Sequence, residues 1–205
     1  IFYQLQNGLS ADEGAQARLG ITGDDKALLA SGWNAYTSTC TRVETIDDAS
    51  EWHATIANLT SLGFDAGQRE AICTVLLAIL ALGRASFEAN PTGNEGPCTC
   101  NEYASAAKFL GVSPENLERA LTYRVVHSGR GSMYQVVLTS GQCADARDAL
   151  AKTIYSHFFD WLVAGLNARM ATIGGGDDGE EVAATDGGRS STYARASVAM
   201  DSTVA

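Results

Sequence analysis

The stretch ARDALAKTIYSHFFDWLVAGLNARM, Ala146 to Met170, decides how the rest of the chain is read. Leu150, Ile154, Phe158, Leu162, Leu166 and Met170 recur every four residues, with Phe159 and Trp161 beside them. That spacing predicts one long helix whose apolar face is buried. Directly before it lies RVVHSGRGSMYQVVLTSGQ, Arg124 to Gln142, which carries no acidic residue. From Glu118 to Asp145 no carboxylate intervenes, whereas Arg119, Arg124, His127 and Arg130 all fall in that interval. Alternation in Tyr123-Arg124-Val125-Val126-His127 and in Tyr134-Gln135-Val136-Val137-Leu138 predicts two strands around a Ser128-Gly129-Arg130-Gly131 turn. The pattern is a basic hairpin carried on a long helix, with Ser132 near its tip.

At 205 residues the chain has room for one domain with a sizeable core, or for a piece of a larger one. It is 45% hydrophobic and 19% charged, as soluble globular chains are, and its net charge of −10 argues against general nucleic-acid binding, which needs a broad basic face. Five cysteines at irregular spacing, Cys40, Cys73, Cys98, Cys100 and Cys143, read as free thiols in a reducing compartment. Cys98 and Cys100 alone cannot supply the four ligands of a structural zinc, so no metal site is expected. The most apolar run, Ala71 to Leu82, is far shorter than the roughly 20 residues that span a bilayer, so it reads as a buried helix without membrane contact. The opening IFYQL lacks a Met and already has helical spacing at Ile1, Phe2 and Leu5, as if the chain were entered in mid-element.

Further along, Ser10 and Glu13 have the spacing of a capping box for a short helix that Gly20 could end. The segment from Ile21 to Thr45 is expected to be irregular, with little chemistry. Asp47 or Asp48 caps a helix running through Leu62, so these acids read as helix-dipole partners rather than catalysts. Asp65 starts the next helix, which ends near Gly83. Ala85–Glu88 and Cys98–Cys100 are candidate short strands, followed by helices at Glu102–Leu110 and Pro114–Thr122, the second with Ser113 as N-cap and Pro114 at its first position. Residues 173–205 are rich in Gly, Asp and Ser and poor in large apolar residues, which predicts a disordered tail after a structured 1–172.

Several of these stretches carry a family resemblance. IFYQL, TIDDASEW (Thr45 to Trp52), LGF followed by AICTVLLAILALGRASFE, AAKFLGVSPENLERALTYR (Ala106 to Arg124) and RDALAKTIYSHFFDWLVAGLN (Arg147 to Asn167) are similar, in order, to the upper actin-binding part of the myosin motor head, class I heavy chains above all. The resemblance implies a mainly α fold with small β-hairpins (α+β), a piece of a P-loop NTPase motor without its central nucleotide-binding sheet. It implies that the hairpin, through Arg124, His127, Arg130, Ser132 and Tyr134, contacts F-actin, and that the Ala89–Pro97 loop makes a weaker actin contact. In the family a Thr, Glu, Asp or Ser stands sixteen residues before the Asp of the DALAK motif, and counting back from Asp148 reaches Ser132. The Arg130-x-Ser132-x-Tyr134 context resembles the heavy-chain kinase site of amoeboid class I myosins, where phosphorylation activates the actin-stimulated ATPase.

The resemblance also implies ATP and Mg2+ as cofactors of the complete motor, light chains bound through absent regions, the remainder of the head as a packing partner, and a cytoplasmic place on the actin cytoskeleton. The chain departs from the family where nucleotide is held. It has no Gly-x-x-x-x-Gly-Lys-Ser/Thr loop, no Asn-rich switch I and no Asp-x-x-Gly-Phe-Glu switch II, so it is expected to hold no catalytic, cofactor-binding or metal residue and to be inactive alone. The alternative is a non-motor helical module that binds actin or serves as a scaffold.

Overall fold

The structure of the protein, a computed structural model, describes residues 1–30, 34–38, 43, 45–90, 96–127 and 133–174. Its helices are α1 (Phe2–Ser10), α2 (Glu13–Arg18), α3 (Asp48–Ser61), α4 (Ala66–Leu82), α5 (Ala104–Leu110), α6 (Pro114–Thr122) and α7 (Ser140–Gly174), with a 3₁₀ helix at Gly23–Leu29. The strands are β1 (Ser86–Glu88) paired antiparallel with β2 (Thr99–Asn101), and β3 (Tyr123–His127) paired antiparallel with β4 (Met133–Val137). The described chain is thus mostly helical with two small antiparallel sheets, the α+β class read from the sequence.

Helix α4 is the centre, because its C-terminal half, Leu76 to Leu82, is apolar on every side. Leu76, Leu77, Ala78, Leu80, Ala81 and Leu82 are almost wholly buried, and α5, α7 and α1 pack around them. A helix hydrophobic all round can only be stable when enclosed in this way. Its ends are as the residues dictate. Asp65 accepts from the Gln68 amide at 2.8 Å while its own amide donates to Gln68 Oε1 at 3.1 Å, a reciprocal capping box. At the other end Asn34 Nδ2 donates to Leu80 O, and the Ala35 amide donates to Gly83 O at 3.0 Å. A segment outside the helix therefore satisfies carbonyls that α4 itself cannot.

Around this centre α1 lies on α3. The two approach so closely that a Cβ on Gly8 would overlap the Trp52 indole, which makes the missing side chain a packing requirement. Asp47 caps α3 by accepting from Ser50 N at 3.2 Å, as its position suggested. Ser113 caps α6 likewise, with Pro114 at the first position.

Four expectations need correction. The cap of α2 is Asp12, which accepts from Ala15 N at 2.8 Å, and not Ser10, whose hydroxyl is spent within α1 on Gln6 O at 2.7 Å. Gly20 does end that helix, at φ +68, with Ile21 N returning to Gln16 O. The described part of the Ile21–Thr45 segment is a set of buried polar ties. Asp25 accepts from Lys108 Nζ at 2.6 Å, Ser105 Oγ at 2.5 Å and the Thr22 amide at 3.1 Å, and Lys108 also donates to Gly20 O at 2.6 Å. Helix α5 begins at Ala104 rather than Glu102, because Glu102 adopts φ 58, a conformation that no helix continues.

The fourth correction concerns the long helix. It begins at Ser140, six residues before the expected Ala146, because Thr139 and Gln142 cap it reciprocally: Thr139 N donates to Gln142 Oε1 at 3.0 Å and Gln142 N to Thr139 Oγ1 at 3.3 Å. The second strand accordingly ends at Val137, one residue before the expected Leu138, and Gln142 belongs to the helix. The stripe of Leu150, Ile154, Phe158, Leu162 and Leu166 packs on the core but is only half covered, and Met170 is 51% exposed. Two apolar grooves of about 570 and 420 Å³ flank the helix, the first between Phe2, Ile79, Tyr155 and Phe159, the second between Ile72, Val75, Phe158 and Trp161. The helix continues to Gly174, two residues past the expected boundary at 172, and residues 175–205 lie outside those described.

Candidate functional site

The β3–β4 hairpin grows from a buried foot. Leu121, Thr122, Leu138 and Cys143 are enclosed there, and Leu138 N donates to Thr122 O at 2.9 Å, one step below the strands. Because α6 runs straight into β3, and α7 starts three residues after β4, the hairpin is held by a helix on either side.

The register sorts the predicted residues by face. Arg124 pairs with Val136 and Val126 with Tyr134, so Arg124 and Tyr134 are diagonal neighbours on one face. His127 pairs with Met133 on the opposite face, together with Val125 and Gln135. Sequence reading had grouped His127 with Arg124 and Tyr134; alternation of side chains along a strand separates them. All three are exposed. Among the described residues no carboxylate pairs with Arg124, so its charge faces water rather than an internal partner. Arg130 and Ser132 lie outside the described residues, as does most of the Ala89–Pro97 loop (91–95).

What sequence reading missed is how the helix behind the hairpin is fastened. Tyr36 Oη donates to Asp148 Oδ1 at 2.8 Å, and Arg147 reaches the same oxygen through Nε at 2.8 Å while its Nη1 donates to Ala85 O at 2.8 Å. Burial, and then the hydrogen bond to Asp148, push the Tyr36 hydroxyl well above its ordinary value. Burial alone would raise the Asp148 carboxyl, but Arg147 and Tyr36 outweigh it and hold it below the usual range. Near the far end, the Arg169 guanidinium stacks 3.8 Å over the Phe64 ring and donates to Gln68 Oε1 at 2.8 Å. These clamps tie α7 to both ends of α4. The sequence marked Arg147 and Asp148 only as part of a motif, and nothing in it pointed to Tyr36 as their partner.

The myosin head (motor domain) family profile matches residues 1–177. This chain belongs to the myosin head family. It is 34% identical over 181 residues to "Myosin-5" of Candida glabrata, covering 86% of this chain and 14% of that protein. It is 33% identical over 172 residues to "Unconventional myosin-Ic" of Bos taurus, covering 84% of this chain and 16% of that one. With "Myosin-K heavy chain" of Dictyostelium discoideum the identity is 34% over 180 residues, 85% of this chain and 20% of the relative. Class I myosins stand among these relatives. The chain therefore spans between about a seventh and a fifth of the length of these three relatives.

The sequence has no phosphate-loop motif, and among the described residues no three His, Cys, Asp or Glu side chains gather as a metal donor set. No described helix is long and apolar enough to cross a membrane.

Proposed function

We propose that this chain is part of an actin-based myosin motor and that its β3–β4 hairpin contacts F-actin. The observation that carries this reading is membership of the myosin head family over residues 1–177, joined to a projecting hairpin whose Arg124 has no internal charge partner among the described residues. The contact runs through Arg124 and Tyr134 on one face, His127 on the other, and Arg130 and Ser132 between the two strands in the sequence. The parent is an ATPase of the P-loop class whose phosphate loop, switches, central sheet and light-chain sites lie in other parts of the protein, where ATP and Mg2+ bind. The remainder of the head packs on the apolar grooves beside α7, and the whole works in the cytoplasm on actin filaments.

Exposed ion pairs contribute about 0.2–1 kcal/mol each and are screened by salt. Binding of the chain to F-actin is therefore expected to be weak and salt-sensitive, and Arg124→Ala plus Arg130→Ala should weaken it roughly two- to thirtyfold. Cosedimentation measures this, and an unchanged bound fraction in the double variant would sink the assignment.

Ser132 is the regulatory residue of the same hairpin. It stands two residues after Arg130, a context for a basic-directed heavy-chain kinase, and a phosphate there would add about 1.5–2 negative charges to an acid-free loop. A kinase assay with radiolabelled ATP should show most incorporation lost in Ser132→Ala. Equal labelling of both proteins would remove Ser132 as the main acceptor.

A further inference from the structure

A second, small core lies apart from the main one. Cys98, Leu138 and Cys143 are buried together, with Phe87 and Ala146 packed against them. Cys98 directly precedes β2 and Cys143 lies in the first turn of α7, so this cluster joins the β1–β2 ribbon to the foot of the hairpin and the start of the long helix. Both thiols converge on one acceptor. Cys98 Sγ donates to Leu138 O at 3.4 Å and Cys143 Sγ to the same oxygen at 3.7 Å. Burial, and then the neighbouring Cys98, hold the Cys143 thiol above its ordinary value. Neither cysteine is needed for the actin contact proposed above.

We propose that Cys98 and Cys143 are an oxidative modification site, a reversible disulfide formed by hydroperoxide that clamps the β1–β2 ribbon to the start of α7. Two features of the fold make the pair reactive together. Both sulfurs bond the one Leu138 carbonyl oxygen, which places them side by side in one buried cluster. The cluster has three buried residues and rests on three-residue strands, so it opens locally at lower free energy than the enclosed α4 core. In the closed state burial shields both sulfurs from hydroperoxide; opening exposes one to solvent, where it reacts as the thiolate.

That thiolate breaks the peroxide O–O bond, giving a sulfenic acid and, after protonation, one water. When the cluster closes, the second thiol attacks the sulfenic sulfur, the S–S bond forms and a second water leaves. In sum, two thiols and one hydrogen peroxide give one disulfide and two waters, the sulfurs being oxidised and the peroxide reduced. A small-molecule dithiol reverses the step by exchange. Cys100 lies on the same ribbon but is absent from this cluster, and Cys73 is in α4, with burial pushing its thiol up to about 11.

The test uses the full chain, reduced, freed of reductant, treated with hydrogen peroxide under native conditions, alkylated and digested. Peptide mass spectrometry is expected to find the peptide holding Cys98 and Cys100 linked to the Cys143 peptide, with the link removed by dithiothreitol. The link should persist in Cys100→Ala and be lost in Cys98→Ala and in Cys143→Ala. Three results would overturn the site: a link that survives Cys98→Ala, oxygen adducts on single cysteines without any link in the unsubstituted chain, or a link that forms only in urea. The unsubstituted chain decides the last two even if a variant folds poorly.

Discussion

Leu80→Ala is expected to lower the stability of the chain by about 2–5 kcal/mol, the range for deleting an enclosed leucine and leaving a cavity. Leu80 is fully buried in the last turn of α4, and its carbonyl receives the Asn34 side chain, so collapse around the cavity would also disturb the tie to the segment before α3. Phe159→Ala, on the 52% exposed side of α7, should change stability by no more than about 0.5 kcal/mol. Urea unfolding followed by circular dichroism compares the two. Equal shifts in midpoint would mean that α7, and not α4, is the centre of the fold.

Lys108→Met is expected to be the next most costly. A pair buried on both sides loses about 3–5 kcal/mol when one partner is removed. Here the Asp25 side chain is 8% exposed but Lys108 is 44% exposed, so solvent screens part of the pair and the loss should be about 1–3 kcal/mol. The same contact has a pH dependence. Burial alone would raise the Asp25 carboxyl, but hydrogen bonds from Lys108, Ser105 and the Thr22 amide, with the lysine charge, hold it below its ordinary value of 3.8. A carboxyl depressed in the folded state stabilises at pH above that ordinary value, and the contribution is lost as pH falls through the folded value. Unfolding midpoints at about pH 7 and about pH 3 should therefore differ less in Lys108→Met than in the unsubstituted chain. An equal acid sensitivity would show that the ion pair is not what Asp25 contributes.

The candidate site was legible as a hairpin because it rests on local signals. Alternation, a Gly-rich turn and a gap in the acidic residues all fall within one contiguous stretch, and the strands appeared within one residue of their expected bounds. Which side chains share a face was equally decidable in principle, since period-two alternation puts Arg124 with Val126 and His127 with Val125. The cross-strand register, which brings Tyr134 to the Arg124 side, came only from the paired backbone. The hidden capping box Thr139-x-x-Gln142 was a readable signal too. It lies ahead of the apolar period that marks the helix, which strengthens only after Ala146.

The sequence by itself determined the elements whose information is local: caps at Asp65 and Ser113, a cap at Asp47 or its neighbour, the apolar length of α4, the two hairpins and the order of motifs that marks a myosin head. Only the tertiary structure decided which helix is enclosed and how the polar ties are made. A four-residue stripe on α7 and an α4 apolar all round in its C-terminal half both promise burial, but burial depends on what surrounds each helix. Here α4 is surrounded and α7 is half open. The bonds Asp25–Lys108, Tyr36–Asp148 and Asn34–Leu80 join residues far apart in the chain. Any one of these polar side chains would be equally at home in water, so nothing local foretells its partner; their pairing is imposed by the cost of enclosing a polar group without one.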